Sequence, residues 1–328
     1  MLAAEALRNN KGQWKAYESQ GNCVILAGPG SGKTKTLTIK MARMLAEDVR
    51  PPRGIACITY NNQCARELRR RLGALGIEDG RRAAIGTLHS FCLQHIVLPY
   101  ARIAGISVPD PLTVATTEER YKCWAAAVET ILGTNEKPRD WMDRCDHYRH
   151  THLDRDKPEW RGDYEEAADV IESYERSLAK HGLVDFETMV LLGLQLVEQH
   201  GWVRKALRAR FPVLVVDEYQ DLGHALHRIV LCLCFTAGMR LVAVGDPDQS
   251  IYGFTGAEPA LLQDLAERDG VEPVQLQLNY RCGQNVIRAS EVALGEARGF
   301  KSGVDEVGRL DIHHRPQGGD DQSNFICD

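Results

Sequence analysis

The stretch "CVILAGPGSGKTKTL", residues 23–37, limits the possible folds more than any other part of the chain. Its apolar run predicts a strand, its glycines a tight turn, and the residues from Lys33 to about 47 a helix. A glycine turn between a strand and a helix aims backbone N–H groups and the positive helix end at one point, which suits a phosphate. In such a loop Ala27, Gly28, Pro29, Gly30, Ser31 and Gly32 form the cradle. Lys33 reaches the β- and γ-phosphates, and the Thr34 hydroxyl ligates Mg²⁺. The strict pattern has glycine five residues before Gly32, where this chain has Ala27. A plain glycine turn at a helix start is the competing reading, and Gly-Lys-Thr in its strand–turn–helix setting argues against it. A nucleoside triphosphate site is expected.

Such a loop needs a sheet around it. Short apolar segments at 23–27, 54–59, 83–87, 212–217, 240–245 and 274–278 alternate with helical patterns at 33–47, 61–75 and 88–97. That alternation predicts an α/β fold with a mostly parallel sheet. From about 106 to 182 the strand signal is lost. There "TTEERYKCWAAAVETIL" and "DYEEAADVIESYERSLAKHG" read as helices with acidic first turns, the second with basic residues near its end. This stretch is read as a helical insertion in a chain whose 328 residues allow two domains, or one with a large insertion.

The run "FPVLVV" delivers "DEYQD" at its C-terminal end, where ligands of parallel sheets bind. Asp217 is assigned to Mg²⁺, and Glu218 to polarising the attacking water as general base. Acidic residues also occupy plain surface turns. Two in succession, after an apolar run and downstream of a phosphate loop, favour chemistry instead. A further strand, "RLVAVGD", leads into "PDQSIYGF", where Gln249 is a neutral sensor for the γ-phosphate.

A net charge of −5 excludes a surface that is basic throughout, so any grip on nucleic acid must be a local groove. The N-terminus has no basic flank before an apolar stretch, and runs such as "VLLGLQLV" are too short to cross a bilayer. A cytoplasmic protein without membrane contact is expected. Ten cysteines lack framework spacing; Cys23, Cys57, Cys232 and Cys234 sit in apolar runs and read as reduced core residues. "CDHYRHTH", residues 145–152, offers one cysteine and three histidines, yet Arg and Asp crowd it. A solvated helical face or loop is the better reading there than a metal site.

Taken in order, the segments resemble the UvrD/Rep family of superfamily 1 DNA helicases, from about residue 9 to 290. "NKGQWKA" is similar to the family's adenine-reading segment, with Gln13 in the glutamine's place. "AGPGSGKT" matches the family's loop, alanine included, and Lys35 follows where arginine is usual. "ITYNNQCARELRRRL" and "GTLHSF" resemble DNA-contacting segments, "GDPDQSIYGFTGA" the segment that couples nucleotide to DNA, and "LNYRCGQN" the opening of the second motor domain. By this resemblance Tyr280 stacks on adenine and Arg281 reaches the γ-phosphate. Tyr60, Tyr252 and Phe254 lie on loops at strand ends and suit stacking on unpaired bases, at about 1–3 kcal/mol per base. Thr59, Asn62, Thr87, His89 and Ser90 suit hydrogen bonds to backbone phosphates. Arg66, Arg69, Arg70 and Arg71 add charge or form a solvated face.

The departures fall outside the hydrolytic set of Lys33, Thr34, Asp217, Glu218 and Gln249. Thr255, Gln63 and Leu88 stand where the family usually has arginine, lysine and phenylalanine, and "DLGHALH" replaces its Thr-Asn and Gln. The resemblance implies a RecA-like P-loop NTPase with a parallel sheet, spanning 1–105 and 183–275. A helical insertion spans 106–182, and a partial second RecA-like domain spans 276–328, with "VQLQL" and "GRLDIHH" as its strands. It further implies an ATP- and Mg²⁺-dependent motor moving 3′ to 5′ on single-stranded or partly duplex DNA. The family's late motifs have no counterpart here, so the chain resembles the N-terminal portion of such a helicase, and a partner chain is one way in which the second motor domain could be completed. The alternative is a module that grips ATP and DNA without translocating.

Overall fold

The apolar runs carry little alternation because the sheet they build is covered by helices on both faces. The structure is a computed structural model that describes residues 2–77, 82–250 and 258–310. Its strands are β1 (Asn22–Ala27), β2 (Ile55–Thr59), β3 (Ala83–Thr87), β4 (Thr113–Val114), β5 (Leu183–Val184), β6 (Val213–Val216), β7 (Arg240–Gly245), β8 (Val271–Leu276), β9 (Leu278–Asn279) and β10 (Lys301–Ser302). Six of them form one parallel sheet in the order β3-β2-β6-β7-β1-β8. One row of the register runs Ile85, Cys57, Val215, Val242, Cys23. Successive residues then alternate between two cores: Leu214, Val216, Leu241 and Ala243 enter one, and Val213, Val215, Val242 and Val244 the other. The α/β class with a parallel central sheet is as expected. Because neighbours are parallel, Ala27, Thr59, Thr87, Val216 and Gly245 end their strands along the same edge of the sheet.

β8 differs from the expectation. It starts at Val271 rather than 274, and Pro273 is tolerated because this strand is the sheet's outer one. The residues of "VQLQL" up to Leu276 therefore pair with β1, Val274 opposite Ile25, instead of starting a second sheet. Gly308–Leu310 is not a strand, and the rest of "GRLDIHH" lies outside the described residues.

Between β4 and β5, which pair in parallel, the chain is helical. Two-residue strands are too short to leave a pattern in the sequence. The helices Thr117–Leu132, Pro138–Thr151 and Glu165–Lys180 enclose their own core around Trp124, Trp141, Trp160 and Tyr174. Trp124 and Tyr174 stack at 3.8 Å. A capping box between Thr116 and Glu119 starts the first of these helices. "CDHYRHTH" is helical, but its reading as a solvated face is corrected: Cys145, Tyr148 and Arg149 are buried. Arg149 tolerates burial because its guanidinium grips both oxygens of Asp185, at 2.6 and 3.1 Å, and Glu175 at 3.1 Å. No cluster of three metal-ligating side chains occurs among the described residues.

Of the four core cysteines, Cys23, Cys57 and Cys234 are buried and Cys232 only half so, and all are free thiols. No helix among the described residues is long and apolar enough to cross a membrane. The chain divides into two units, Met1–Gly28 with Lys33–Leu276, and Pro29–Gly32 with Gln277–Asp328. In the second, β9 pairs with β10, and the helix Gln284–Leu294 buries Ile287.

Candidate functional site

Within the first unit, three strand ends supply the polar groups. β6 runs into Asp217 and Glu218, and Glu218 takes a left-handed backbone conformation, φ 51° and ψ 51°. No other non-glycine residue among those described has a positive φ, and such a conformation costs about 1–3 kcal/mol. Strain of this kind persists only where the surroundings fix it, and here they do. The Glu218 carboxylate lies 3.3 Å from Lys33 Nζ, at the start of the helix Lys33–Arg43. Lys33 Nζ also donates to Gln249 Oε1 at 3.5 Å. Gln249 sits in a single turn, Pro247–Gln249, which Asp246 opens after β7. Lys33, Glu218 and Gln249, far apart in sequence, are thus brought together.

Asp217 is buried beside them, and its Oδ1 has no hydrogen-bond partner among the described residues. Burial first, and then the Glu218 charge, push its pKa up to about 7, with Lys33 pulling the other way. A buried, donorless carboxylate oxygen fits a divalent cation, which would stabilise the ionised form that burial disfavours. Thr34 follows Lys33 in the first turn of the helix, its carbonyl accepting from Thr38 Oγ1 at 2.6 Å. Burial and Glu218 also push Asp221 up to about 6.

Ala27 ends β1 as a buried residue and Gly28 follows it. Lys35 is exposed and reaches Ala6 O at 3.5 Å. Gln13 is buried in the first turn of the helix Lys11–Glu18, its N–H held by the Asn10 cap at 3.1 Å. Gly12 lets that helix touch β8, since a Cβ there would fall 2.4 Å from Gln275 O. Lys40 fastens the other end, donating to Ala16 O and Ser19 O, both at 2.7 Å. In the second unit, Gly30 and Gly32 take positive φ, 68° and 82°, and Ser31 between them is buried. Tyr280 N donates to Gly30 O at 2.8 Å, while the Tyr280 ring is half exposed. Asn279 Oδ1 receives the N–H of Arg281 at 2.8 Å.

The residues expected to meet DNA lie at the ends of β2 and β3. Thr59 is buried and its hydroxyl donates to Asn61 O at 3.1 Å, while Asn62 is exposed at the start of its helix. Thr87 caps the next helix by accepting from Ser90 N at 3.3 Å, and the Ser90 hydroxyl returns to Thr87 O at 2.9 Å. Tyr60 and His89 line a cavity of about 200 Å³ together with Glu187, His150 and Asp221. The arginines of the helix Asn62–Ala74 are partly engaged: Arg70 and Arg71 pair with Glu67, and Arg69 donates to Ile85 O. Tyr252, Phe254 and Thr255 lie outside the described residues.

Three further residues touch the candidate ones, and the sequence does not single them out. Phe186 is half exposed and meets His89 edge-on at 5.3 Å, yet an aromatic at a helix start carries no signal of its own. Gln220 and Asp246 are buried between the carboxylates and Gln249. Both stand in motifs of the sequence, but spacing does not reveal which way a side chain turns.

A parallel sheet whose strand ends carry a helix-start lysine and two adjacent carboxylates, the first of them buried, in a chain with the sequence Gly-Ser-Gly-Lys-Thr, defines a phosphate-loop nucleotide-binding domain. Residues 9–269 match the model of the UvrD/REP helicase N-terminal domain, and the chain belongs to that family. It is 30% identical to the ATP-dependent DNA helicase PcrA of Leuconostoc citreum, over 97% of this chain and 43% of that protein. It is 29% identical to the ATP-dependent DNA helicase Rep of Escherichia coli, over 88% of this chain and 43% of the relative. For DNA helicase II of Escherichia coli the identity is 27%, over 89% and 41%. The chain thus spans about two fifths of the length of these relatives.

Proposed function

We propose that this chain is the ATP-hydrolysing part of a cytoplasmic, Mg²⁺-dependent DNA translocase and helicase that moves 3′ to 5′ on single-stranded or partly duplex DNA. The observation that carries the reading is the meeting of Lys33, Glu218 and Gln249 beside the buried Asp217. Lys33 offers its charge to the β- and γ-phosphates, Glu218 orients the attacking water and takes its proton, and Gln249 donates to the γ-phosphate. Asp217 and the Thr34 hydroxyl would hold Mg²⁺, which supplies charge neutralisation at the phosphate oxygens. Gln13 and Tyr280 are assigned to adenine and Arg281 to the γ-phosphate. Ala27, Gly28, Pro29, Gly30, Ser31, Gly32 and Lys35 are assigned to the phosphates.

DNA is assigned to Thr59, Tyr60, Asn62, Thr87, His89, Ser90, Tyr252 and Phe254, with Phe186 added. The names of the relatives, ATP-dependent DNA helicases, support both substrates. The domain assignment is a RecA-like part in two segments, 1–105 and 183–275, with the insertion 106–182 and a portion of a second motor domain from 276. Strand separation is assigned to the two motor domains acting together.

The test is ATP hydrolysis by the purified chain with and without a single-stranded oligonucleotide. Turnover that DNA accelerates and Lys33→Ala removes is the expected result. Nucleotide-dependent DNA binding without any turnover would overturn the motor in favour of a binding module.

A further inference from the structure

Gln220 is buried on the turn that follows Glu218, and its carboxamide bridges two strand ends. Nε2 donates to Glu218 Oε2 at 3.0 Å and to Asp221 Oδ2 at 3.3 Å, while Oε1 accepts from the backbone N–H of Asp246 at 3.0 Å. The orientation of the amide is dictated by its neighbours: a carboxylate needs a donor and a backbone N–H needs an acceptor. Asp246 is fully buried, and its Oδ2 accepts from Gln249 Nε2. The polar groups therefore close a ring, from Lys33 to Glu218, Gln220, Asp246, Gln249 and back to Lys33. Gly245 leaves room for the bridge, since a Cβ there would lie 2.5 Å from Gln220 Oε1.

We infer that Gln220 is a positioning residue for ATP hydrolysis: it fixes the Glu218 carboxylate and ties it to the turn that carries Gln249. The inference rests on the assignment of Glu218 as the base. Among the described residues, Glu218 has two side-chain donors, Lys33 and Gln220. Lys33 is also the group that must serve the phosphates, so its hold on Glu218 is divided when nucleotide binds. Gln220 is not shared in this way. As a neutral donor it also orients the carboxylate without adding a full charge that would weaken it as a base. Through Asp246 the same amide fixes the start of the Gln249 turn, so base and sensor keep one spacing.

Gln220→Ala removes the donor and leaves the Asp246 N–H without that acceptor. Gln220→Glu keeps the length but presents a second carboxylate to Glu218. Both variants of the full chain are compared with wild type in single-turnover hydrolysis of labelled ATP, in binding of a fluorescent non-hydrolysable ATP analogue with Mg²⁺, and in thermal melting. A lost hydrogen bond to a charged group corresponds to roughly 10- to 100-fold. The chemical step of Gln220→Ala should fall by about that factor and that of Gln220→Glu at least as far, with analogue affinity within about threefold of wild type. Combining Gln220→Ala with Glu218→Gln should cost little beyond Glu218→Gln alone, because the carboxylate being positioned is gone. Hydrolysis within about twofold of wild type, or an equal loss of analogue binding and melting temperature, overturns the role of Gln220. A wild-type chain that binds no analogue overturns the nucleotide reading itself, a result distinct from either.

Discussion

The burial of Asp217 predicts that its neutral isostere stabilises the fold while destroying the site. The carboxyl's ordinary value of 3.8 is raised to about 7 in the folded chain. Below the ordinary value both folded and unfolded chains hold the proton, so Asp217 contributes nothing to the pH dependence. Between the two values the folded chain binds more protons than the unfolded one, so stability falls as pH rises. Above about 7 the full cost of the buried charge is present. About three units at about 1.4 kcal/mol each set an upper limit of about 4 kcal/mol, and relaxation of the site brings the expectation to about 2–4 kcal/mol. Asp217→Asn should therefore melt roughly 3–6 °C above wild type at about pH 8, with the gap shrinking to about 1–2 °C near about pH 5. Asp185 and Glu187 shift the other way, held below their ordinary values by Arg149 and His150 against the effect of burial. Both are present in wild type and variant, so the difference curve isolates Asp217. Mg²⁺ with an ATP analogue should narrow the gap by stabilising wild type alone. Scanning calorimetry across this pH range is the measurement. Equal melting temperatures at alkaline pH, or a gap that widens toward acid, would refute the reasoning.

Lys33→Ala should abolish binding of an ATP analogue, whereas Glu218→Gln should bind it and lose turnover, because one residue compensates ground-state charge and the other acts on water. Isothermal titration separates them, and equal loss of binding in both would remove the role assignment. Arg149→Ala should cost about 3–5 kcal/mol by leaving Asp185 charged, buried and short of its main partner, read as a lowered denaturant midpoint and early proteolysis between β4 and β5. Phe186→Ala should weaken single-strand binding by about 1–3 kcal/mol without sequence preference, checked by fluorescence anisotropy beside a melting curve. Unchanged affinity would return Phe186 to a packing role against His89. Lys40→Met should destabilise the chain by about 1–3 kcal/mol, because Ala16 O and Ser19 O lose a common donor; an unchanged melting temperature would count against it.

What the sequence discloses depends on whether the information is local. The strand before Gly28, the helix after Gly32 and the carboxylates after β6 are written in consecutive residues, and each is found where periodicity puts it. The sheet class follows because buried parallel strands read as unbroken apolar runs. Two kinds of feature do not follow. Strand boundaries at a sheet's rim depend on a neighbour: Val271–Pro273 is a strand because β1 lies beside it, and its own residues give no such hint. Side-chain direction depends on every neighbour at once. Nothing in "DEYQD" says that Gln220 turns inward to Asp246, or that Glu218 adopts a left-handed backbone. Arg149 shows the same limit from the other side, because a run rich in Arg, Asp and His looks solvated until Asp185 and Glu175 are known to face it. Motifs therefore locate the chemistry, while the contacts that position it are set by residues distant in the chain. For this reason the strongest tests of the site are double substitutions across the ring, where the coupling itself is the quantity measured.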